Sequence, residues 1–251
     1  MPRFEHNTCA LCTEEQKLEG SHVIPRFVRH LFLESKYFDW TNPDKVEQDL
    51  AKIPLLCHKC EGLISENENI IACKVHAALG KPVQGLPTPR DEKYFAFSVL
   101  WRAYQAVTRF QLADTLMPAL ADKFRESHSS SQITNSMPKQ TVEALQTVEI
   151  WRKFLLAPAG TQVCSEYRSW MLEDALAQRV GGGVGRYATS WNVLTGPNYQ
   201  SVVVLMHSSV FIGPLLTATD IESEEIGIRN WLNFLAEQNS IFCHEGVRNF
   251  V

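Results

Sequence analysis

The 251-residue sequence predicts an α+β protein with a small cysteine-stapled N-terminal domain, a helical middle and a small antiparallel sheet towards the C-terminus. Three observations carry this. Five of the seven cysteines fall in the first third, four of them as Cys9-x2-Cys12 and Cys57-x2-Cys60. Apolar residues recur three and four apart through most of the stretch from 91 to 180. After Tyr187, three short runs are rich in Val, Thr and aromatic residues.

Taken in order, the first element is the pair of CxxC knuckles. Each places two thiolates on one ion, and two knuckles complete a tetrahedral Zn2+ site. Four ordinary buried cysteines would leave the duplicated spacing unexplained. Cys73-x2-His76 also has ligand spacing, but Ile70, Ile71, Cys73, Ala77 and Leu79 read as the packing face of a helix. The Pro/Gly-rich stretch from Gly80 to Arg90 sustains neither a helix nor a central strand, so the expected division is a zinc domain over 1–80, a linker over 81–90 and a second domain over 91–251. In that second domain, helices are predicted over Asp91 to Thr115, Thr141 to Leu156 and Gln162 to Val180, with a Ser-rich loop at His128 to Ser136. Strands are predicted over Tyr187 to Leu194, Gln200 to His207 and Ser209 to Leu216, the first two joined through Gly196-Pro197-Asn198. A helix over Ile221 to Glu237 closes the pattern, and no internal repeat is present.

Charge and hydropathy exclude several classes. The net charge is -4, and residues 1–100 and 101–251 each hold 12 Lys+Arg and 14 Asp+Glu. A protein that grips nucleic acid unaided carries a basic excess, so such a role needs a local patch or a partner. No apolar run approaches the roughly 20 residues that span a bilayer. MPRFEHNTCALC lacks the apolar core of a secretory signal, which predicts a reducing cytoplasm and cysteines that are thiols or metal ligands.

Between the knuckles stands Gly20-Ser21-His22-Val23-Ile24-Pro25, and the second knuckle reads Leu55-Leu56-Cys57-His58-Lys59-Cys60-Glu61. These residues resemble the HNH family of zinc-stabilised ββα-metal nucleases, in which CxxC is followed by Asp-His-Ile-Ile-Pro and then by Leu-Cys-x-x-Cys-His/Asn. The chain looks closest to a bacterial branch written SHIIP followed by LLCxxCE, over residues 9 to about 72. The resemblance implies a treble-clef, ββα-metal domain. It also implies His22 as the base that activates water, and a catalytic Mg2+ or Mn2+ beside the structural zinc. A histidine bonded within the knuckle, or a spare ligand, is the other reading of His22.

The departures from the family pattern bear on that site. Ser21 replaces an acidic or histidine ligand, Lys52 stands where the family has Asn, and Glu61 replaces the last His or Asn. Glu61 is a hard oxygen ligand suited to Mg2+ or Mn2+. In a helix beginning near Cys60, Glu61, Ser65 and Glu68 share one face, which would meet His22. An ordinary solvated acidic helix is the competing reading. Arg26, Arg29, His30 and Lys36 offer phosphate contacts or a plain basic surface.

Three further signals are weak. Gly181-Gly182-Gly183-Val184-Gly185-Arg186 lacks the Lys-Ser/Thr of a phosphate loop. Ser208 and Ser209 beside His207 lack a nucleophile elbow. Cys243-His244 reads as a thiol beside a surface imidazole. The resemblance implies metal-dependent DNA cleavage with His22, Glu61 and Glu68 at the site. Its context would be phage defence or restriction, with DNA presented by a partner such as an ATPase or by a homo-oligomer. The alternatives are a non-catalytic zinc module that binds protein or nucleic acid, and regulation of the first domain by residues 91–251.

Overall fold

A computed structural model describes residues 8–31, 37–39, 42–47, 52–78, 88–110, 139–158, 167–171, 188–207, 209–216 and 219–247. Among them are four α-helices and small antiparallel sheets, a mixed α+β arrangement. The first sheet pairs β1 (Leu18–His22) with β4 (Lys52–Cys57). Between these strands lie a 3-10 helix (Arg26–Leu31) and a hairpin of β2 (Tyr37–Asp39) and β3 (Asn42–Glu47). In β4, Ile53 and Leu55 point inward while Lys52 and Pro54 stay exposed. A two-stranded sheet leaves Pro54 an open edge, where its missing N–H breaks no ladder. Cys57 then leads directly into α1 (His58–Ala78).

The second helix, α2 (Pro89–Phe110), begins at a capping box. Asp91 Oδ2 accepts the Thr88 N–H at 2.8 Å, the Asp91 N–H points back at Thr88 Oγ1 at 3.3 Å, and Pro89 takes the first helical position, where no N–H is needed. Every residue from Tyr94 to Tyr104 is buried, which marks a helix enclosed on all sides. It packs on α1, on α3 (Lys139–Leu156) and on strands of the larger sheet.

That sheet has the antiparallel order β5 (Arg168–Met171), β8 (Ser209–Pro214), β7 (Tyr199–His207), β6 (Ala188–Gly196). Val202, Val204 and Met206 of β7 face the layer containing α2, whereas Val203 and Leu205 face α4 (Ile221–Val247) through Ile228, Trp231 and Leu232. This period-two sorting explains why both faces of β7 are buried. The β6–β7 hairpin turns at Pro197-Asn198, as the sequence predicts, and a Cβ on Gly196 would run into the Tyr199 ring.

Residues 168–171 correct one expectation. The predicted helix over Gln162 to Val180 contains β5 instead, paired with β8 from Arg168↔Ile212 to Met171↔Ser209. Helical spacing in four residues cannot compete with covering the edge of β8. The linker residues 81–87, the Ser-rich loop, the glycine run at 181–186, Ser208, Lys36 and Cys164 lie outside the described residues, as do the side chains of Arg29, His30, His76, His207, Cys243 and His244.

One hydrophobic cluster runs from Cys9, Leu11 and Leu56 through Phe95, Phe97 and Trp151 to Val204 and Leu215. Aromatic contacts mark its path, with Phe27 at 5.8 Å from Phe95 and Phe95 at 6.0 Å from Phe211. The cysteine-bearing segment and the residues beyond 91 thus share a core. No helix among the described residues is long and apolar enough to cross a membrane.

Candidate functional site

Two places concentrate chemistry, and the first is the cysteine cluster. The Sγ atoms of Cys9, Cys12, Cys57 and Cys60 all lie within 4.8 Å of one another, and Cys12 and Cys57 are 3.9 Å apart. Tetrahedral Zn–S bonds of about 2.3 Å put sulfurs about 3.8 Å apart, so the four are placed to bind a metal ion and are compatible with structural zinc. The backbone explains how they meet. The Thr13 N–H donates to the Cys9 carbonyl and the Cys9 N–H to the Glu14 carbonyl, both at 2.9 Å. This tight turn forces Thr13 to a φ of 66°, a costly region for a β-branched residue. In β4 the register shift opposite Glu19 and Gly20 leaves Leu55 unpaired with β1, and its carbonyl accepts the Ala10 N–H at 3.0 Å. The bulge therefore ties one knuckle to the other.

The donors around the sulfurs suit an ion. Burial opposes ionisation of Cys9, yet the N–H groups of Cys12, Cys57 and Leu11 hold its thiol below the ordinary range. The Cys57 N–H reaches Cys9 Sγ at 3.3 Å. Burial pushes the Cys12 and Cys60 thiols up. Thiols desolvated in this way ionise when a cation takes them as thiolates. From α3, Arg152 donates to the Leu11 carbonyl at 2.5 Å, bringing a positive charge to the edge of the cluster.

The second place is a cavity of about 440 Å3 between β1, the 3-10 helix and α1. His22 ends β1 opposite Lys52 and opens onto this cavity together with Arg26 and Phe27. Facing them on α1 are Glu61, Ser65, Glu68, Asn69 and Ala72, the single stripe expected of positions i, i+4, i+7, i+8 and i+11. Ser21 is fully buried, and its hydroxyl donates to Glu61 Oε2 at 2.7 Å. It thus orients the Glu61 carboxylate.

From the sequence, Glu68 stands between a metal-side role and a solvated face, and the structure gives it a third setting. It is 5% exposed, and its Oε1 accepts from both Ser98 Oγ and Arg102 Nη2 of α2. Burial raises the Glu68 carboxyl above the ordinary range, Arg102 and Ser98 pull against that rise, and the charge of Glu61 adds to it. Glu66, by contrast, is exposed.

His22, Glu61 and Glu68 thus line one cavity. Among the described residues, however, the four cysteines are the only group of three or more His, Cys, Asp or Glu whose ligand atoms gather as a metal would need. Sequence reasoning missed Asn69 and Arg102. Asn69 carries no charge to draw attention, and Arg102 lies beyond the Pro/Gly-rich break. Comparison of the chain with known protein families, curated proteins and solved structures gives no match.

Proposed function

We propose that the chain is a metal-dependent DNA endonuclease of the HNH type, with a zinc-stapled treble clef formed by the two knuckles, the β1/β4 pair and α1. One observation carries this reading: His22 on β1 and Glu61 on α1 open onto the same cavity, with Glu61 held by the buried Ser21 hydroxyl. Cys9, Cys12, Cys57 and Cys60 would hold structural Zn2+. Glu61, on the opposite wall, would hold Mg2+ or Mn2+, which supplies positive charge to a leaving oxygen. Such ions are commonly held by one or two carboxylates together with substrate phosphate, so a complete ligand set need not be assembled beforehand. The His22 imidazole takes the proton of the attacking water. Ser21 fixes the carboxylate, and Arg26 faces the phosphate backbone. With charge balanced along the chain, DNA is presented by a partner, such as an ATPase, or by a second copy; defence against phage or restriction is the fitting role.

The absence of a second assembled ligand group among the described residues favours the rival, a non-catalytic zinc module. Plasmid cleavage with Mg2+, Mn2+ or Ni2+ decides between them. His22→Ala should lower the rate ~10^2 to 10^4-fold while leaving zinc content unchanged. Equal inertness of wild type and variant, with partners added, establishes the binding module.

A further inference from the structure

We infer that Arg102 is the phosphate-holding residue of the cavity, positioned by Glu68 and Ser98, and that the cavity takes a phosphate diester and a divalent cation cooperatively. This deepens the reading of the cavity as a phosphodiester site and rests on it.

The geometry of Arg102 supports the assignment. Its side chain is 3% exposed, yet it lines the cavity. Nε donates to the Ser98 carbonyl at 3.2 Å, and Nη2 donates to Glu68. Those two bonds fix the guanidinium plane, while Nη1 makes no hydrogen bond to another described residue. A guanidinium so oriented keeps N–H donors for a planar or tetrahedral oxyanion and loses little freedom on binding it. Glu68 is spent on this orientation, so Glu61 is the carboxylate left for a cation.

Charge gives the second half of the inference. The ionisable side chains on the cavity wall, besides His22, are Arg26, Arg102, Glu61 and Glu68, which cancel. An anion alone meets two carboxylates as well as two guanidinium groups. A divalent cation alone meets the reverse. Bound together, the cation lies against Glu61 and the phosphate against Arg102, and each offsets the repulsion felt by the other. Their binding is therefore cooperative. Cooperativity between two ligands is reciprocal, so each must tighten the other by the same factor.

The test uses the full chain with one equivalent of Zn2+, titrated with Mn2+ through the loss of the free-ion paramagnetic signal, with and without saturating dimethyl phosphate. Wild type should bind Mn2+ at least about tenfold more tightly when the diester is present, within the usual range of such couplings. The converse titration of dimethyl phosphate by phosphorus NMR should return the same factor. Arg102→Lys keeps a cation beside Glu68 but loses the fork, and should bring the factor below about threefold. The double variant Glu68→Gln/Arg102→Met removes both charges together, so no buried charge is stranded, and should bring it to one. A purely structural role for Arg102 would shift the ligand-free Tm and leave the factor unchanged, which overturns the inference. Equal diester affinity with and without Mn2+ overturns it as well. A chain that shows the coupling but cuts no DNA keeps this inference and loses the nuclease; one that cuts DNA without the coupling loses this inference alone.

Discussion

Glu68 and Glu224 are held in the same way in different layers of the fold. Glu68, in the middle of α1, accepts from Ser98 and Arg102. Glu224, in the first turn of α4, accepts from Ser201 of β7 and Arg168 of β5. Each knot replaces the water lost by a buried carboxylate with one hydroxyl and one guanidinium, and each ties a helix to its neighbours. Glu224 gains further from the helix N-terminus, where free N–H groups favour negative charge. Glu68 has no such help, and its Arg102 shares a cavity with His22 and Glu61. The residue types in a buried polar knot therefore do not reveal its role. What distinguishes the two is the company that the arginine keeps.

The largest effect tests whether the knots belong to one cooperative unit. Cys57→Ser should forfeit a structural metal site, on the order of 10 kcal/mol in small zinc domains. Because one core runs from Cys9 to Leu215, hydrogen exchange in β7 should accelerate together with that in α1. A sheet that keeps its protection while α1 loses it would restore two independent domains divided at 81–90.

Smaller, and directed at the knots themselves, are Glu68→Gln and Glu224→Gln. Removing one partner of a buried pair costs about 3–5 kcal/mol. That range applies to Glu68, whose arginine is 3% exposed; Arg168 is 33% exposed and reaches water, so Glu224→Gln should cost less. Denaturant unfolding measures both. The Mn2+–diester coupling should fall in the Glu68 variant and stay intact in the Glu224 variant. A loss of coupling in both would mean that the cavity does not distinguish the knots.

The two knots also show what a sequence conveys. Cys9, Cys12, Cys57 and Cys60 announce their meeting through spacing, because metal ligation fixes spacing. The unbroken run Val202-Val203-Val204-Leu205-Met206 in β7 announces a strand through its β-branched residues, and it is apolar throughout because its two faces are buried in different layers. Strand β5 is hidden, since four residues gain their structure only from pairing with β8. Arg102 is hidden behind an apparent domain boundary, although a Ser and an Arg four apart inside the apolar run from Tyr94 to Tyr104 do signal a buried polar contact. Glu224 is indistinguishable by sequence from Glu222 and Glu225, both of which are exposed. Burial, not residue type, singles it out.

Arg152→Met probes a different tie, the one between α3 and the first cysteine knuckle. It removes the hydrogen bond from α3 to the Leu11 carbonyl, and hydrogen bonds to charged groups contribute about 1.5–3 kcal/mol. The variant should release zinc to a chelator faster, as read by a colorimetric zinc indicator, with the Mn2+–diester coupling unchanged. Unaltered release would show that Arg152 braces α3 only against Glu149.

The smallest effects lie at the helix caps that present the two knots. Thr88 caps α2, which carries Ser98 and Arg102, and Thr88→Ala should cost about 1 kcal/mol. Asp220 caps α4, accepting the Ser223 N–H at 3.2 Å and the Ser223 hydroxyl at 2.7 Å. Those two bonds hold the Asp220 carboxyl below its ordinary range. A carboxyl lowered on folding adds stability at pH values above its unfolded range, and that contribution is lost as pH falls through the lowered value. Between neutral and acid pH, therefore, Asp220→Ala should narrow its deficit against wild type, whereas Thr88→Ala leaves the Asp91 carboxylate in place and loses only the hydroxyl that donates to it at 2.7 Å and accepts the Asp91 N–H. Tm scans of both variants against wild type at stepped pH measure this. A deficit for Asp220→Ala that stays constant into acid would show that its carboxylate charge contributes nothing, leaving Glu224 to the buried contacts of Ser201 and Arg168 alone.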